Sequence, residues 1–436
     1  MRSSIVAAAV FALALAGCSG PANQWTGLAH PDTLAKAGMK YYWTGRARLQ
    51  PGEKLVKIYR LDENLYCQTS GNRIIAIDAA TGITKWVFQS NPDETIFRPV
   101  HYDGVKLTPE VSGILQLMEP GKLPNVPPFN ALMINTESYV VVLNRDTGEV
   151  IRRPNAVAFG FAADCAGTTD GVNYYVGTTD GRYAAFRLQE GIKIWTMSSS
   201  DKKEPISAPL KYLNRQLFVA NDGGTMLCAD VSRISKVNVD WSAQLEGHLR
   251  AEFQVDDRGC FVPCWDNRLY GFNTLTGQKL WEPVVCRGVL NHAVQVGQNS
   301  LFQYAQQDKL YAVDIATGRV RWSIPDRQNM LVLGSDAGNV WIKDGRNNLQ
   351  VVNEMSGGKV VSLPLTGHEL FVSNATLPVI YTAKANGRIF CIAPTATTRI
   401  NPEMLHKVRR AAATKPATLP AAPAATPSAA PSETQP

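Results

Sequence analysis

The side chains that could bind a metal ion or carry out acid–base chemistry are scattered along this sequence of 436 residues. The histidines show none of the regular spacing that brings metal ligands together; they are His30, His101, His248, His292, His368 and His406. The adjacent acidic pairs all resemble turns, because each lies between strand-like runs or beside proline or glycine; they are Asp62-Glu63, Asp93-Glu94 and Asp256-Asp257. The pattern therefore predicts no catalytic residues and no metal site.

Other reactive or flat side chains are better explained by packing. Trp265 and Trp341 could stack on a flat cofactor, but each is expected inside a strand, where a tryptophan more often belongs to the core. Cys228 and Cys391 occupy a small-residue position of the repeat described below and are expected to fill the core. No bound cofactor is predicted from these residues.

Cys18 has the clearest chemical context of the eight cysteines. It follows Leu15-Ala16-Gly17 at the end of an apolar run that Arg2 precedes. A basic start, an apolar stretch and small residues at a cleavage site are typical of a secretory signal peptide. The Leu-Ala-Gly-Cys ending resembles a bacterial lipobox, which implies removal of residues 1–17, lipid attachment to Cys18 and, with Ser19 next, the outer membrane. An ordinary signal peptide with a chance cysteine is the alternative.

Tryptophans recur along the chain with a period of about 40 residues. Those in phase are Trp43, Trp86, Trp195, Trp241, Trp281 and Trp322. Arg152 and Val361 occupy two further positions in the same phase, which makes eight repeats. A period of this length indicates one supersecondary unit copied along the chain.

The repeat places a small residue, Asp or Asn, Thr and Gly at fixed distances before the tryptophan, in full in two copies and at most positions in four more. The two complete copies are Ala76, Asp78, Thr81, Gly82, Trp86 and Ala312, Asp314, Thr317, Gly318, Trp322. The turn glycine recurs as Gly148, Gly191 and Gly277, whereas the copy before Trp241 is three residues longer. Apolar alternation, then an Asp–Gly turn, then a second alternating run predicts a β-hairpin.

Two further strand-like runs precede each hairpin, so each repeat holds four strands, as in a β-propeller blade. We predict an all-β fold with eight four-stranded blades over residues 39–398. The last repeat has only three strands, and Lys40–Trp43 forms an orphan strand that should complete blade eight and close the ring. Seven blades is the alternative, if Arg152 or Val361 falls in phase by coincidence.

Three segments depart from the repeat. Residues 18–38 are expected to tether the ring, with a short helix around 32–37. An insertion at 104–130 in blade two contains five prolines and could dock a partner or fold over its own blade. Residues 399–436 combine a basic segment with a tail of Ala, Pro, Thr and Ser that is predicted to be disordered.

The formal net charge of +7 is modest for a chain of this length. Nucleic-acid-binding proteins usually carry a dense basic patch, which the sequence does not show. No nucleic-acid partner is predicted.

The pattern Ala-x-Asp-x-x-Thr-Gly-x-x-x-Trp resembles the repeat of the PQQ-type quinoprotein propellers. Catalytic members of that family hold PQQ and calcium at the ring axis, using an acidic cluster, a catalytic Asp and often two adjacent cysteines. This chain has no adjacent cysteines and no evident acidic cluster. A PQQ-dependent periplasmic dehydrogenase therefore remains only an alternative.

A lipid-anchored propeller without that catalytic apparatus resembles the BamB-type lipoproteins of outer-membrane protein assembly. The resemblance implies a non-catalytic scaffold without cofactor, anchored through Cys18 on the periplasmic face of the outer membrane. It also implies a monomeric subunit of a complex, with a barrel assembly protein and unfolded outer-membrane proteins as partners. The tail and the insertion depart from the family pattern, so a propeller adaptor with another cell-envelope partner is the second alternative.

Overall fold

The computed structural model describes residues 28–102, 130–152, 161–170, 173–187, 192–233, 237–326, 328–401 and 404–405. These residues form 32 strands, which pair into eight antiparallel sheets of four strands each. The predicted eight-bladed, all-β propeller is confirmed, and the alternative of seven blades is wrong.

Seven blades use four consecutive strands, with neighbouring strands antiparallel. Blade one contains β2 (Leu55–Leu61), β3 (Asn64–Thr69), β4 (Arg73–Asp78) and β5 (Thr84–Gln89), and blade two contains β6 (Val100–Tyr102), β7 (Ala131–Asn135), β8 (Val140–Asn144) and β9 (Val150–Arg152). Blade three contains β10 (Thr168–Thr169), β11 (Asn173–Gly177), β12 (Arg182–Arg187) and β13 (Ile192–Ser198), and blade four contains β14 (Lys211–Leu213), β15 (Gln216–Ala220), β16 (Thr225–Asp230) and β17 (Asn238–Gln244). Blade five contains β18 (Gln254–Asp256), β19 (Gly259–Pro263), β20 (Arg268–Phe272) and β21 (Val284–Val285). Blade six contains β22 (Gln295–Val296), β23 (Ser300–Ala305), β24 (Lys309–Asp314) and β25 (Val320–Pro325), and blade seven contains β26 (Leu331–Asp336), β27 (Asn339–Lys343), β28 (Asn348–Asn353) and β29 (Lys359–Pro364).

Blade eight joins the two ends of the chain. It contains β30 (Leu370–Phe371), β31 (Ile380–Ala383), β32 (Arg388–Pro394) and, as its outer strand, β1 (Met39–Arg46). The pairing runs from Met39 opposite Pro394 to Arg46 opposite Arg388. Closure by the N-terminal strand is therefore confirmed, with a longer strand than Lys40–Trp43.

The blades pack face to face, and the core is divided among their interfaces. Eight apolar clusters are found, and each combines side chains from two consecutive blades, including blade eight with blade one. A middle strand such as β3 is buried at every residue because neighbouring sheets cover both of its faces. This explains why middle strands lack a clear alternation of apolar and polar residues.

One short helix, α1 (Pro31–Ala35), lies within the predicted helical range 32–37. The side chain of His30 caps it by accepting a hydrogen bond from the Asp32 amide, and Leu34 is fully buried against blades seven and eight. None of the helices in the described residues is long and apolar enough to cross a membrane.

Several predicted features lie outside the described residues. They are residues 1–17 and Cys18, Gly191, the insertion at 104–130 except Asn130, and the tail from 406 onward. One prediction was wrong. Trp265 lies in the turn between β19 and β20 rather than inside a strand, whereas Trp341 lies in β27 and is buried, as expected.

Candidate functional site

The repeat signature builds the joint between blades. Trp86, on the outer strand of blade one, donates a hydrogen bond from Nε1 to the Arg145 carbonyl in the hairpin turn of blade two, at 2.8 Å. Its ring lies beneath Gly148, which has a φ of +74°, and a Cβ there would lie 2.5 Å from the ring. The turn therefore requires glycine both for its backbone angle and for the space that the indole occupies.

The same joint occurs at five blade boundaries in the described residues. The tryptophan and the glycine above it are Trp43 with Gly82, Trp86 with Gly148, Trp241 with Gly277, Trp281 with Gly318 and Trp322 with Gly357. In each case the indole nitrogen also donates to a carbonyl of that turn. Trp195 lies on the equivalent strand of blade three and packs against Tyr175 and Tyr183.

The small residue of the repeat lies directly opposite the tryptophan in the sheet. Ala76 pairs with Trp86 and Cys228 pairs with Trp241, because the third and fourth strands pair in the same register in both blades. Cys391 lies opposite Trp43 in the same way. The seven cysteines in the described residues are all buried and form no disulfide with one another. Burial raises the pKa of Cys67 to about 12, so this thiol is unreactive at neutral pH.

A charged cluster lies at the ring axis. The first strands of neighbouring blades contact one another, as the innermost strands of a ring do. Arg98 and Glu252 each lie two residues ahead of such a strand, in blades two and five, and Arg98 Nη1 donates to Glu252 Oε1 at 2.8 Å. Because these blades are not neighbours, the contact crosses the central channel.

Glu252 also accepts a hydrogen bond from Lys211 of blade four. Burial by itself would raise the pKa of Glu252, but the charges of Lys211 and Arg98 outweigh it and hold the pKa at about 2. The carboxylate is therefore ionised at neutral pH and already faces two cations. In this state it is poorly suited to act as a general base or as a calcium ligand.

A second charged cluster, which was not predicted from the sequence, joins blades one and two. Asp62, Glu63 and His101 each place one potential metal-ligating atom within 4.8 Å of the others. His101 Nδ1 lies 2.9 Å from Asp62 Oδ2, and its Nε2 lies 2.7 Å from the Tyr66 hydroxyl. The description of Asp62-Glu63 as a simple turn was therefore incomplete.

A guanidinium group occupies the position that a cation would need in this cluster. Arg145 Nε lies 2.9 Å from Glu63 Oε1, and its Nη1 lies 3.2 Å from His101 Nδ1. Burial is the main reason why the pKa of His101 is lowered, and the Arg145 charge adds to it. The cluster therefore already contains a buried positive charge, and its donor set does not favour a metal ion. Its chemistry is that of a salt-bridge network between blades.

One residue of this cluster, Arg145, departs from the repeat pattern and could have indicated the cluster from the sequence. Arg145 follows Asn144 in the repeat, at the position filled by Ala79 in blade one and Ile315 in blade six. A charged residue in a position that is apolar elsewhere indicates a local partner. Which partner it finds depends on the contact between adjacent blades, because Glu63 lies 82 residues away in the sequence.

Trp265 of blade five contacts polar side chains near the protein surface. The Arg250 guanidinium lies 5.2 Å from the centre of the Trp265 ring, and His248 meets the ring edge-on at 5.5 Å. Arg250 Nε also donates to Asp222 at 2.7 Å. Trp265 is thus covered by neighbouring polar side chains and is not presented as a flat platform for a cofactor.

Comparison with protein families identifies the family of this chain. The model of the family described as outer membrane protein assembly factor BamB matches residues 179–329 and 236–410, which together cover more than half of the chain. A curated relative, outer membrane protein assembly factor BamB of Nitrosomonas eutropha, is 23% identical over 154 residues. That match covers 34% of this chain and 36% of the relative, so the chain matches about a third of the relative's length.

Solved structures share the fold. BamB from Moraxella catarrhalis has a TM-score of 0.60 and 12% identity, covering 83% of this chain and 99% of that one. The computationally designed Ika8 protein has a TM-score of 0.53 and 12% identity, covering 78% of this chain and 96% of that one. At such low identity the likeness is one of fold alone.

Proposed function

This chain belongs to the family described as outer membrane protein assembly factor BamB, and from this premise we propose that it is a non-catalytic scaffold in outer-membrane protein assembly. Its role is to hold partner proteins together through the surfaces of a rigid ring. The family match carries this proposal, and the state of the ring axis supports it.

The axis is where a propeller of the quinoprotein type would hold PQQ and a metal ion. In this ring the acidic side chain at the axis, Glu252, is bonded to Arg98 and Lys211. An anionic cofactor with calcium needs carboxylates for the metal, and a carboxylate already paired with two cations is a poor ligand. The described residues therefore do not fit that cofactor.

The proposed location is the periplasmic face of the outer membrane, with lipid attached to Cys18. The supporting observation is the sequence Leu15-Ala16-Gly17-Cys18 after an apolar run. Acyl chains anchor a protein because each buried CH₂ contributes about 0.8 kcal/mol. Cys18→Ala should release the protein from the membrane fraction into the periplasm, and retention in the membrane would exclude this anchor.

The proposed partner is the barrel protein that inserts outer-membrane proteins, with unfolded outer-membrane proteins as clients. Cross-linking in intact cells, capture of the affinity-tagged chain and mass spectrometry would test this. Recovery of a membrane barrel with periplasmic repeat domains is the expected result. Recovery of only unrelated envelope proteins would instead indicate an adaptor with a different partner.

The non-catalytic part of the proposal has its own test. Purified protein should show the same melting temperature with and without PQQ and calcium at saturating concentrations. A melting temperature that rises with PQQ concentration would contradict the scaffold assignment, because a ligand that binds the folded state stabilises it.

A further inference from the structure

Most of the large apolar side chains that remain exposed lie on one rim of the ring. Nine of the thirteen found among the described residues lie in the turn between the third and fourth strands of a blade, or within three residues after its glycine. These turns all lie on the same face, because strands alternate in direction and every blade has the same strand order. The opposite face shows no comparable concentration in the described residues.

The same turns carry exposed cations in blades five, six and seven. Each blade has one within two residues of its turn glycine, namely Lys279, Arg319 and Lys359. The acidic residues of these turns are engaged: Glu354 is buried, and Asp314 accepts hydrogen bonds from Thr317 in its own turn. These three turns therefore present exposed apolar side chains together with one cation each, while two exposed carboxylates on the same face, Asp257 and Asp336, belong to the turns between first and second strands.

We call this surface the turn rim. It consists of Leu275, Lys279, Arg319, Met355, Lys359 and Val360. Leu275 is 70% exposed and Val360 is 63% exposed. A single exposed apolar side chain is ordinary, so the concentration of several on one rim is the informative observation. Val360 also lines a cavity of about 330 Å³ together with Trp341 and Val361.

The described chain begins on the face opposite the turn rim, at the far end of the outer strand of blade seven. The Ala29 amide donates to the Thr366 carbonyl, just after the outer strand of blade seven, and Lys359 lies at the start of that strand. A strand of six residues spans about 20 Å. The ten residue steps from Cys18 to Leu28 can reach at most about 36 Å when fully extended. A lipid on Cys18 could therefore enter a bilayer that the turn rim touches.

We infer that the turn rim rests on the surface of a bilayer that contains anionic phospholipids. Its apolar side chains enter the interface, and its cations pair with lipid phosphates, as interfacial amphipathic surfaces do. The biological setting of this contact rests on the proposed lipid-anchored location. The contact would fix how the ring is oriented on the membrane, which a single lipid anchor cannot do.

Vesicle flotation tests this inference on the whole chain from residue 18, carrying Cys18→Ser so that no lipid is attached. Vesicles of phosphatidylcholine are compared with vesicles that also contain phosphatidylglycerol. One variant reverses the charges of the turn rim (Lys279→Glu, Arg319→Glu, Lys359→Glu). A second variant replaces the apolar side chains of the turn rim (Leu275→Ser, Met355→Ser, Val360→Ser). The control reverses three exposed cations on the opposite face (Arg48→Glu, Lys202→Glu, Arg346→Glu).

Binding to the anionic vesicles should fall by at least about 100-fold in the charge-reversed variant, since each of the three lost cations contributes about fivefold and the new carboxylates repel the anionic surface. The apolar variant should also bind more weakly, whereas the control should retain most of its binding. Absence of binding by the parent chain, or an equal loss in the control, would overturn the inference. Since the assay contains no partner protein, its outcome is independent of the capture experiment.

Discussion

The indole ring of Trp43 lies directly beneath Gly82, so that a Cβ added to Gly82 would lie 2.5 Å from the ring. Trp43 comes from the N-terminal strand and belongs to blade eight, whereas Gly82 belongs to blade one. Trp43 Nε1 also donates to the Ala79 carbonyl at 3.1 Å. The joint that links consecutive blades elsewhere therefore also seals the ring where its two ends meet.

Gly82→Ala should destabilise the protein more than Gly52→Ala. Both glycines have a positive φ, +76° and +81°, but a Cβ on Gly52 meets nothing within 4 Å. The backbone angle costs about 1–2 kcal/mol at either site, and displacing the Trp43 ring should add about 1–3 kcal/mol at Gly82. Urea denaturation of both variants measures the difference. Equal losses would mean that the ring moves aside without cost.

Glu252→Gln should lower the free energy of unfolding by about 1–3 kcal/mol at pH 7, because Arg98 and Lys211 lose the carboxylate they share. The folded pKa of about 2 lies below the unfolded value of about 4.3. The stabilising effect is therefore complete above about pH 5 and is lost as the pH falls toward 2. Unfolding of both proteins across this range measures the effect.

The matched control for this change is Glu246→Gln, because the Glu246 side chain is 80% exposed where it pairs with Arg268. Its stability should stay close to that of the unmodified protein. A constant difference between Glu252→Gln and the unmodified protein from pH 7 to pH 2 would contradict the assigned role of the Glu252 carboxylate.

Arg145→Gln should cost about 3–5 kcal/mol, because it removes the buried cation of the cluster and leaves the Glu63 and Asp62 carboxylates beside it. Arg319→Gln removes an exposed guanidinium and should change the stability little. The urea midpoints of the two variants provide the measurement. If the Arg145 variant were as stable as the Arg319 variant, the cluster would not contribute to the joint between blades one and two.

His368 should make the stability of blade eight depend on pH. It is buried between Tyr41 and Thr382, at 3.0 and 2.6 Å. Burial, with the charges of Lys384 and Arg388, lowers its pKa from 6.5 to about 4. Between pH 6.5 and pH 4, His368 therefore binds a proton in the unfolded chain but stays neutral in the folded chain.

Stability should accordingly fall by up to about 3 kcal/mol between pH 6.5 and pH 4 through this residue. His368→Gln cannot titrate, so the slope of unfolding free energy against pH should be shallower in this variant over that interval. An unchanged slope would show that His368 is not kept neutral by the fold.

Much of the ring could be predicted because its information is local and repeated. Ala76, Asp78, Gly82 and Trp86 specify a hairpin through backbone angles and packing, and eight copies specify the blade number. The pairing of the N-terminal strand β1 with β32 of the last blade could be predicted because only the last repeat lacked an outer strand. Such features depend on neighbours along the chain, which a pattern can show.

The charged clusters could not be predicted in this way. Arg98 and Glu252 are 154 residues apart and meet only because the inner strands of their blades border the same central channel. Glu63 and Arg145 meet because consecutive blades pack face to face. Trp265 was misplaced because a turn in blade five carries an aromatic residue where polar residues are usual.

By itself, the sequence determined the repeat, the number of blades and the closing strand, since each follows from local propensity and from a count of strands. Only the tertiary structure decided which charges pair and which apolar side chains remain exposed. Salt bridges form over a few ångströms between groups that are far apart in the chain, and exposure depends on what packs above a residue. Both are properties of the closed ring, and neither can be read from any single repeat.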